Sequence, residues 1–435
     1  MGDYVCKFGG SSLADVEQIR KVIEIVNSSE GRRFVVPSAP GKRDSEDTKI
    51  TDLLYLCHEL TRQHVDISDP FSHIEKRYNG IANELDLDLD MPGLLDLLWE
   101  DIEHGASSDF VASRGEHLCG RILASALDAT FVESAEVIKF GSGGALDPET
   151  YDLVGSKLAG PGRFVIPGFY GSARDGGIRT FSRGGSDITG AIVARAVSAT
   201  VYENWTDVSG MLMADPRIVP DAKPVHEITY REIRELAYMG ARVFHDEAMF
   251  PVRDAGIPIN IRNTNRPEDP GTVILPERKQ TDQPVVGVAG RSNFTMLFIE
   301  KALMNQTTGF GRRLLDVIAG LDISYEHTPS GIDTMSVIIS DDELGDKGEA
   351  LVAEIENVLQ PDRVSLLPGL ALIATVGEGM SHHVGISARL FTALAEANVN
   401  VRVIDQGASE INIIVGVEAV DFEKAVEAIY RAFEN

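Results

Sequence analysis

The residues best placed to do chemistry stand at the start of the chain, in Val5-Cys-Lys-Phe-Gly-Gly-Ser-Ser12. A lysine two positions before a glycine pair, after an apolar run, describes a strand ending in a turn. Such a turn is open enough for phosphate oxygens to approach backbone N–H groups. The spacing is not that of a Walker A loop, which needs a glycine, four residues and then Gly-Lys-Ser/Thr. Lys7 would project from the strand end and could neutralise charge on a transferring phosphoryl group. Taken alone, a tight strand-to-helix turn accounts for the pattern equally well.

Three further stretches carry similar content. Arg183-Gly-Gly-Ser-Asp187 is a second glycine turn at a helix start, and two such turns in one α/β domain favour an anion site over two ordinary caps. Asn204-Trp-Thr-Asp-Val-Ser-Gly210, continuing to Ala214-Asp-Pro-Arg217, follows a strand, where open α/β sheets place their ligands. Asp207 could support Mg²⁺ through water, because that ion keeps waters and takes one or two carboxylates. Arg217 could meet phosphate. An Asx turn followed by a proline stop fits the same residues. In Ser113-Arg-Gly-Glu116, the glutamate could hold an ammonium group or could serve only as a helix-start carboxylate.

These stretches need a frame. Short β-branched or apolar runs at Arg33–Val36, Arg163–Ile166, Thr200–Glu203 and Ile257–Arg262 alternate with helical periodicity up to about residue 280, which predicts an α/β domain with a mostly parallel sheet. Thr229-Tyr-Arg-Glu232 reads as a capping box, and Asp187 is placed to start a helix carrying Ile188, Ile192 and Ala196. Residues 60–110 form a polar, acidic helical excursion from the sheet. The proline-rich, charged stretch 266–284 marks the domain boundary. Beyond it, 309–339 aligns with 385–415 at an offset of 76 residues, so that Leu314, Ile318, Ile323 and Val337 match Leu390, Leu394, Val399 and Ile413. The repeat predicts two copies of a small α+β module.

Bulk composition narrows the function classes. The chain has 435 residues, with 40 Lys and Arg against 67 Asp and Glu, a formal charge of −27. A field of that sign disfavours nucleic acid and anionic membranes as partners. The three cysteines, Cys6, Cys57 and Cys119, show neither a disulfide framework nor a metal spacing, which fits a reducing cytosol. Neither a signal peptide nor a membrane-spanning run is read, so a cytoplasmic location is expected.

Together, KFGGSS, SRGE, RGGSD, WTDVSG with ADPRIVPDA, and the IRNT strand before PGT resemble the aspartate kinases in type and order over residues 1–275. The tail resembles that family's pair of ACT domains. The resemblance implies an amino acid kinase fold, an open, mostly parallel sheet sandwiched by helices, plus two α+β ACT (ferredoxin-like) modules. It implies a catalytic domain over 1–280 and a regulatory region over 285–435, its modules at about 300–367 and at 285–299 plus 368–435. The implied reaction moves the γ-phosphoryl of ATP, with Mg²⁺, to the β-carboxylate of L-aspartate, the first step toward lysine, threonine and methionine. A carboxylate acceptor is already ionised, so positioning and charge neutralisation carry such a reaction.

By the same resemblance Lys7 and Asp187 are catalytic, and Lys7, Gly9, Gly10, Ser11, Thr206, Asp207, Leu212, Arg217 and Arg242 face ATP. Ser38, Thr51, Glu116, Phe169, Arg183 and Ser186 form the aspartate pocket. Within it Arg183 clamps the α-carboxylate and Glu116 takes the α-ammonium. Met304, Asn305, Gly309, Phe310, Ser330, Ile332 and Asp333 are the implied effector contacts, with lysine expected first and threonine second. A homodimer through the ACT domains, or a tetramer, is implied. Some positions depart from the family pattern: Arg242 for a lysine, Asp246 for a proline, Leu212 and Met213 for a tyrosine and a threonine, and Pro37 before Ser38. Glutamate 5-kinase and acetylglutamate kinase fit less well, because SRGE and the double ACT tail speak against both. A catalytically silent amino-acid sensor is the alternative outside the enzymes.

Overall fold

The computed structural model describes residues 2–182, 184–241, 249–278 and 283–434. The chain divides into two units: Met1–Met211 with Pro224–Tyr230 and Val243–Arg278, and Leu212–Lys223 with Arg231–Arg242 and Lys279–Asn435. Among the described residues no helix is long and apolar enough to cross a membrane.

The first unit is built on an eight-stranded sheet. Its strands are β1 (Tyr4–Phe8), β2 (Arg32–Pro37), β3 (Thr130–Phe131), β4 (Phe164–Val165), β5 (Val201–Thr206), β6 (Glu227–Thr229), β7 (Ile259–Asn263) and β8 (Thr272–Leu275), in the order β6-β8-β7-β5-β1-β2-β4-β3. All neighbouring pairs are parallel except β7 with β8. The chain leaves β1 for β2 on one side and returns to β5 on the other, so the order reverses at β1. That reversal opens a crevice at the carboxyl ends of the strands. The strands expected from β-branched runs are present within a few residues of where the sequence puts them.

The helical excursion consists of α3 (Ser68–Glu84) and α4 (Met91–Glu103), between α2 (Ile50–Arg62) and α5 (Ser108–Ala126). Its apolar side is continuous with one face of the sheet. Phe71, Ile74, Tyr78 and Leu98 share a core with Phe8, Val35, Trp205 and α1 (Val16–Asn27). The helix α6 (Gly185–Ala196) starts from Gly184 in the left-handed region (φ 59°), three residues earlier than the Asp187 cap read from the sequence, which puts Asp187 inside its first turn.

Behind the central strands lies a charged cluster. Glu203 on β5, 3 % exposed, accepts two hydrogen bonds from the guanidinium of Arg32 (2.8 and 3.0 Å) and one from the Trp205 indole N–H (3.0 Å). Cys6 Sγ lies 3.2 Å away and Arg262 3.5 Å. Burial pushes the Glu203 carboxyl upward, but the Arg32 hydrogen bonds and charge hold it below the usual range.

The second unit contains a five-stranded antiparallel sheet of β9 (Gly287–Glu300), β10 (Thr334–Ser340), β11 (Arg363–Val376), β12 (Val401–Asp405) and β13 (Asn412–Glu418), in the order β10-β9-β11-β13-β12. It carries two cores. One holds Leu297 and Ile299 with α7 (Phe310–Gly320) and α8 (Gly348–Leu359), and the other holds Val288, Ala371 and Ile373 with α9 (Ile386–Glu396) and α10 (Phe422–Phe433). The 14-residue strands β9 and β11 run through both, with register shifts in their pairing between Arg291 and Met296. All eight residues matched by the repeat are buried in equivalent places in the two cores. The copies differ at one strand: β12 in the second corresponds in the first to isolated bridges at His327 and Ser330.

Candidate active site

The carboxyl ends of β1, β2, β4 and β5 are stitched together by the turns that follow them. Gly9 N–H donates to Trp205 O (3.0 Å), Ser38 N–H to Phe8 O (3.0 Å), Gly41 N–H to Gly10 O (2.8 Å) and Gly168 N–H to Pro37 O (3.0 Å). These bonds bring the glycine turn, the Ser38 segment and Phe169 to one edge of the sheet. Gly10 is required there, since a Cβ on it would sit 2.9 Å from Ala39 O and 3.2 Å from the Gly41 backbone.

Lys7 and Asn204 are register partners on β1 and β5 and point to the face opposite the Glu203 cluster. Lys7 Nζ lies 2.5 Å from Asp187 Oδ1, and Asn204 Nδ2 donates to the same oxygen at 2.9 Å. The Tyr202 hydroxyl donates to the Asp187 carbonyl (3.1 Å). The first turn of α6 is thus tied to the two strands at the crevice. Asn204 has no sequence signal of its own; its place beside Lys7 emerges only from the strand pairing.

Glu116 is buried in α5 and receives a hydrogen bond from the Ala39 N–H, while its Oε2 is buried with no partner. Burial pushes its carboxyl up to about 8 despite that hydrogen bond. A buried acid oxygen without a donor is costly, and a cationic ligand group would satisfy it. Ser38 is half-buried at one end of the segment that meets Glu116, and Thr51 is half-buried in the first turn of α2 at its other end. Phe169 is held in the left-handed region (φ 79°) with its N–H donating to Thr189 Oγ1 (3.1 Å). Ser186, buried in α6, packs against Gly168, where a Cβ would fall 2.6 Å from its side chain. Arg183, Arg242 and Asp246 lie outside the described residues.

At the end of β5, Thr206 Oγ1 donates to Asp207 Oδ1 (3.2 Å), and Asp207 is exposed. Ser11 is half-buried in the short helical turn after Gly9. Leu212 and Arg217, read as nucleotide contacts, fall in the second unit. There Arg217 pairs with Asp215 at 2.5 Å, and the loop is anchored by Val288 N–H to Met213 O (2.7 Å) and by Arg431 to Asp221 (2.7 Å). The effector candidates gather at one end of β9 and β10, where Lys301 N–H donates to Asp333 O (2.9 Å). Met304 and Asn305 lie in a short 3-10 turn, Gly309 (φ 76°) precedes buried Phe310, and Ser330 and Ile332 are exposed.

Comparison with known proteins decides the family. Residues 4–263 match the Amino acid kinase family and residues 373–433 match an ACT domain. The chain is 41% identical to Aspartokinase 3 of Bacillus subtilis, covering 99% of this chain and 98% of that protein. The chain belongs to the aspartokinases. Among solved structures, the Clostridium acetobutylicum aspartate kinase is 50% identical with a TM-score of 0.92, each chain fully covered. Escherichia coli aspartokinase III, 26% identical and fully covered, has been solved with aspartate and ADP (TM-score 0.75) and with lysine and aspartate (TM-score 0.76). This aspartokinase is therefore an ATP-dependent kinase, and its fold is the amino acid kinase domain with ACT-type regulation expected from the motifs.

Proposed function

We propose that this aspartokinase transfers the γ-phosphoryl of ATP to the β-carboxylate of L-aspartate and is feedback-inhibited through its second unit, by lysine first. The observation that carries the substrate assignment is Glu116: a buried carboxylate oxygen without a donor, at the crevice edge, fits the α-ammonium of an amino acid. Ser38, Thr51, Phe169 and Ser186 line the same pocket, and Arg183 is the α-carboxylate clamp. The E. coli relative's complexes with aspartate, ADP and lysine support both halves of the reading.

The chemistry follows from charge. Aspartate and ATP are both anionic, so the barrier is one of bringing like charges together in line. Lys7, fixed by Asp187 and Asn204, supplies a positive charge at the glycine turn, and the Gly9-Gly10-Ser11 backbone lets phosphate oxygens approach closely. Thr206 and Asp207 face the nucleotide. Asp207, an exposed carboxylate at a strand end, fits Mg²⁺ held through water, and the ion would neutralise phosphate charge there. Lysine, or threonine in its place, would sit at Met304, Asn305, Gly309, Phe310, Ser330, Ile332 and Asp333, with Asp333 on its ammonium. A cytoplasmic homodimer, or a tetramer, completes the reading.

ATP-dependent hydroxamate formation with aspartate, then glutamate, tests it. Aspartate-only turnover that lysine abolishes is the expected result. Equal use of glutamate would remove the assignment of aspartate as the acceptor, and turnover indifferent to both lysine and threonine would remove the effector assignment.

A further inference from the structure

The excursion helix α3 presents an apolar stripe of Phe71, Ile74, Tyr78 and Ile81 to the core, and Arg77 falls within that stripe. Arg77 is 7 % exposed. A guanidinium in such a place must spend its donors on specific acceptors. Arg77 donates to Ala14 O (2.9 Å), to Gly41 O (3.0 Å) and to Asp47 Oδ2 (2.5 Å). Asp47 is also bound by the Arg43 backbone N–H and guanidinium (2.9 to 3.1 Å), and Arg43 followed by Arg77 holds its carboxyl well below the usual range.

Those acceptors belong to the pocket's own support. Residues 39–47 have no helix or strand to fix them, yet they supply the Ala39 N–H that meets Glu116 and the Gly41 backbone that packs on Gly10. The neighbouring Tyr78 hydroxyl donates to Gly115 O (2.7 Å), one residue before Glu116. One helix turn therefore grips both walls of the proposed aspartate pocket, the loop through Arg77 and α5 through Tyr78.

We propose that Arg77 is a positioning residue for the phosphoryl acceptor: by clamping Gly41 and Asp47 it sets the place of Ser38 and Ala39 relative to Glu116. The inference rests on the pocket assignment above. It gives the helical excursion a role in substrate selection, through two carbonyls and a carboxylate that only a planar five-donor group can satisfy together.

The test is steady-state kinetics of Arg77→Lys, Arg77→Ala and Asp47→Asn, with thermal unfolding of each and with Glu116→Gln measured alongside. We expect kcat/KM for aspartate to fall roughly 10–100-fold, the cost of a misplaced site. The loss should lie mainly in the aspartate KM, with the ATP KM within about twofold of the parent. Millimolar guanidinium should restore much of the loss in Arg77→Ala and none in Glu116→Gln. Folded variants with unchanged aspartate KM overturn the proposal. So does a loss shared equally by both substrates that guanidinium does not relieve, because that is the signature of general destabilisation. If the Arg77 variants do not fold, the split between aspartate and ATP in Asp47→Asn decides by the same criteria. A Glu116→Gln enzyme with an unaltered aspartate KM would instead remove the pocket assignment itself.

Discussion

Lys7 and Asn204 stand side by side on neighbouring parallel strands and converge on a single oxygen, Oδ1 of Asp187. The lysine is thereby held at the strand end by the fold itself, so in the proposed phosphoryl transfer the entropy of ordering a long side chain is spent in folding instead of in the reaction.

Lys7→Met should therefore fold normally and lose turnover by a factor on the order of 10²–10³. Asn204→Ala, which removes one of the two groups on the Asp187 carboxylate, should lower kcat by a smaller factor with little change in either KM. Single-turnover kinetics would check both.

On the proposed pocket assignment, Glu116 should make substrate capture pH-dependent. In the folded enzyme its carboxyl titrates at about 8, against about 4.3 in an unfolded chain. The folded state holds the extra proton between those values, so the stability of the ligand-free enzyme falls as pH rises through that window. An ammonium group favours the ionised form, so aspartate binding near pH 7 should release close to one proton. Calorimetry in two buffers of different ionisation enthalpy would measure it, and kcat/KM for aspartate should climb with pH up to about 8. Glu116→Gln should abolish the proton release and weaken aspartate binding.

The Glu203 cluster offers a stability experiment independent of activity. Glu203→Gln leaves Arg32 buried without its counter-charge and should cost about 3–5 kcal/mol. Replacing Glu203 and Arg32 together with apolar residues of similar volume, Glu203→Leu with Arg32→Met, should recover only part of that loss, because Arg262 and the Trp205 indole also lose their acceptor. Denaturant midpoints of the two variants give the comparison.

Gly10→Ala places a methyl 2.9 Å from Ala39 O and forces the turn and the 39–41 backbone apart. Both the phosphate turn and the Glu116 wall should shift, so kcat should fall and the aspartate KM should rise together. A variant with parent kinetics would show that the turn yields without cost.

What could be read beforehand follows from the range of the physics. The glycine turns at Gly9 and Gly184 and the β-branched strands announce themselves within a few residues, because backbone freedom and periodicity are local properties. The repeat was legible because Leu314 and Leu390, or Val337 and Ile413, occupy the same core positions in two copies. The Lys7–Asp187 pairing was legible, but the partners of Glu203 and Arg77, and Asn204 as the second partner of Asp187, were not. Arg32 lies 171 residues from Glu203 and Asp47 lies 30 from Arg77, and no spacing rule connects such pairs before the sheet is assembled. Arg77 did leave a trace, a charge on the apolar stripe of a helix, but in a polar segment it reads as one more solvated cation.

The strands β9 and β11 have one more implication. Each begins in one core of the second unit and ends in the other. No single cut in the chain would yield two complete modules, and neither could melt while the other stayed intact. This five-stranded sheet and its helices should unravel in one step on heating, and a lesion in either core, at Leu314 or at Leu390, should be felt equally in both.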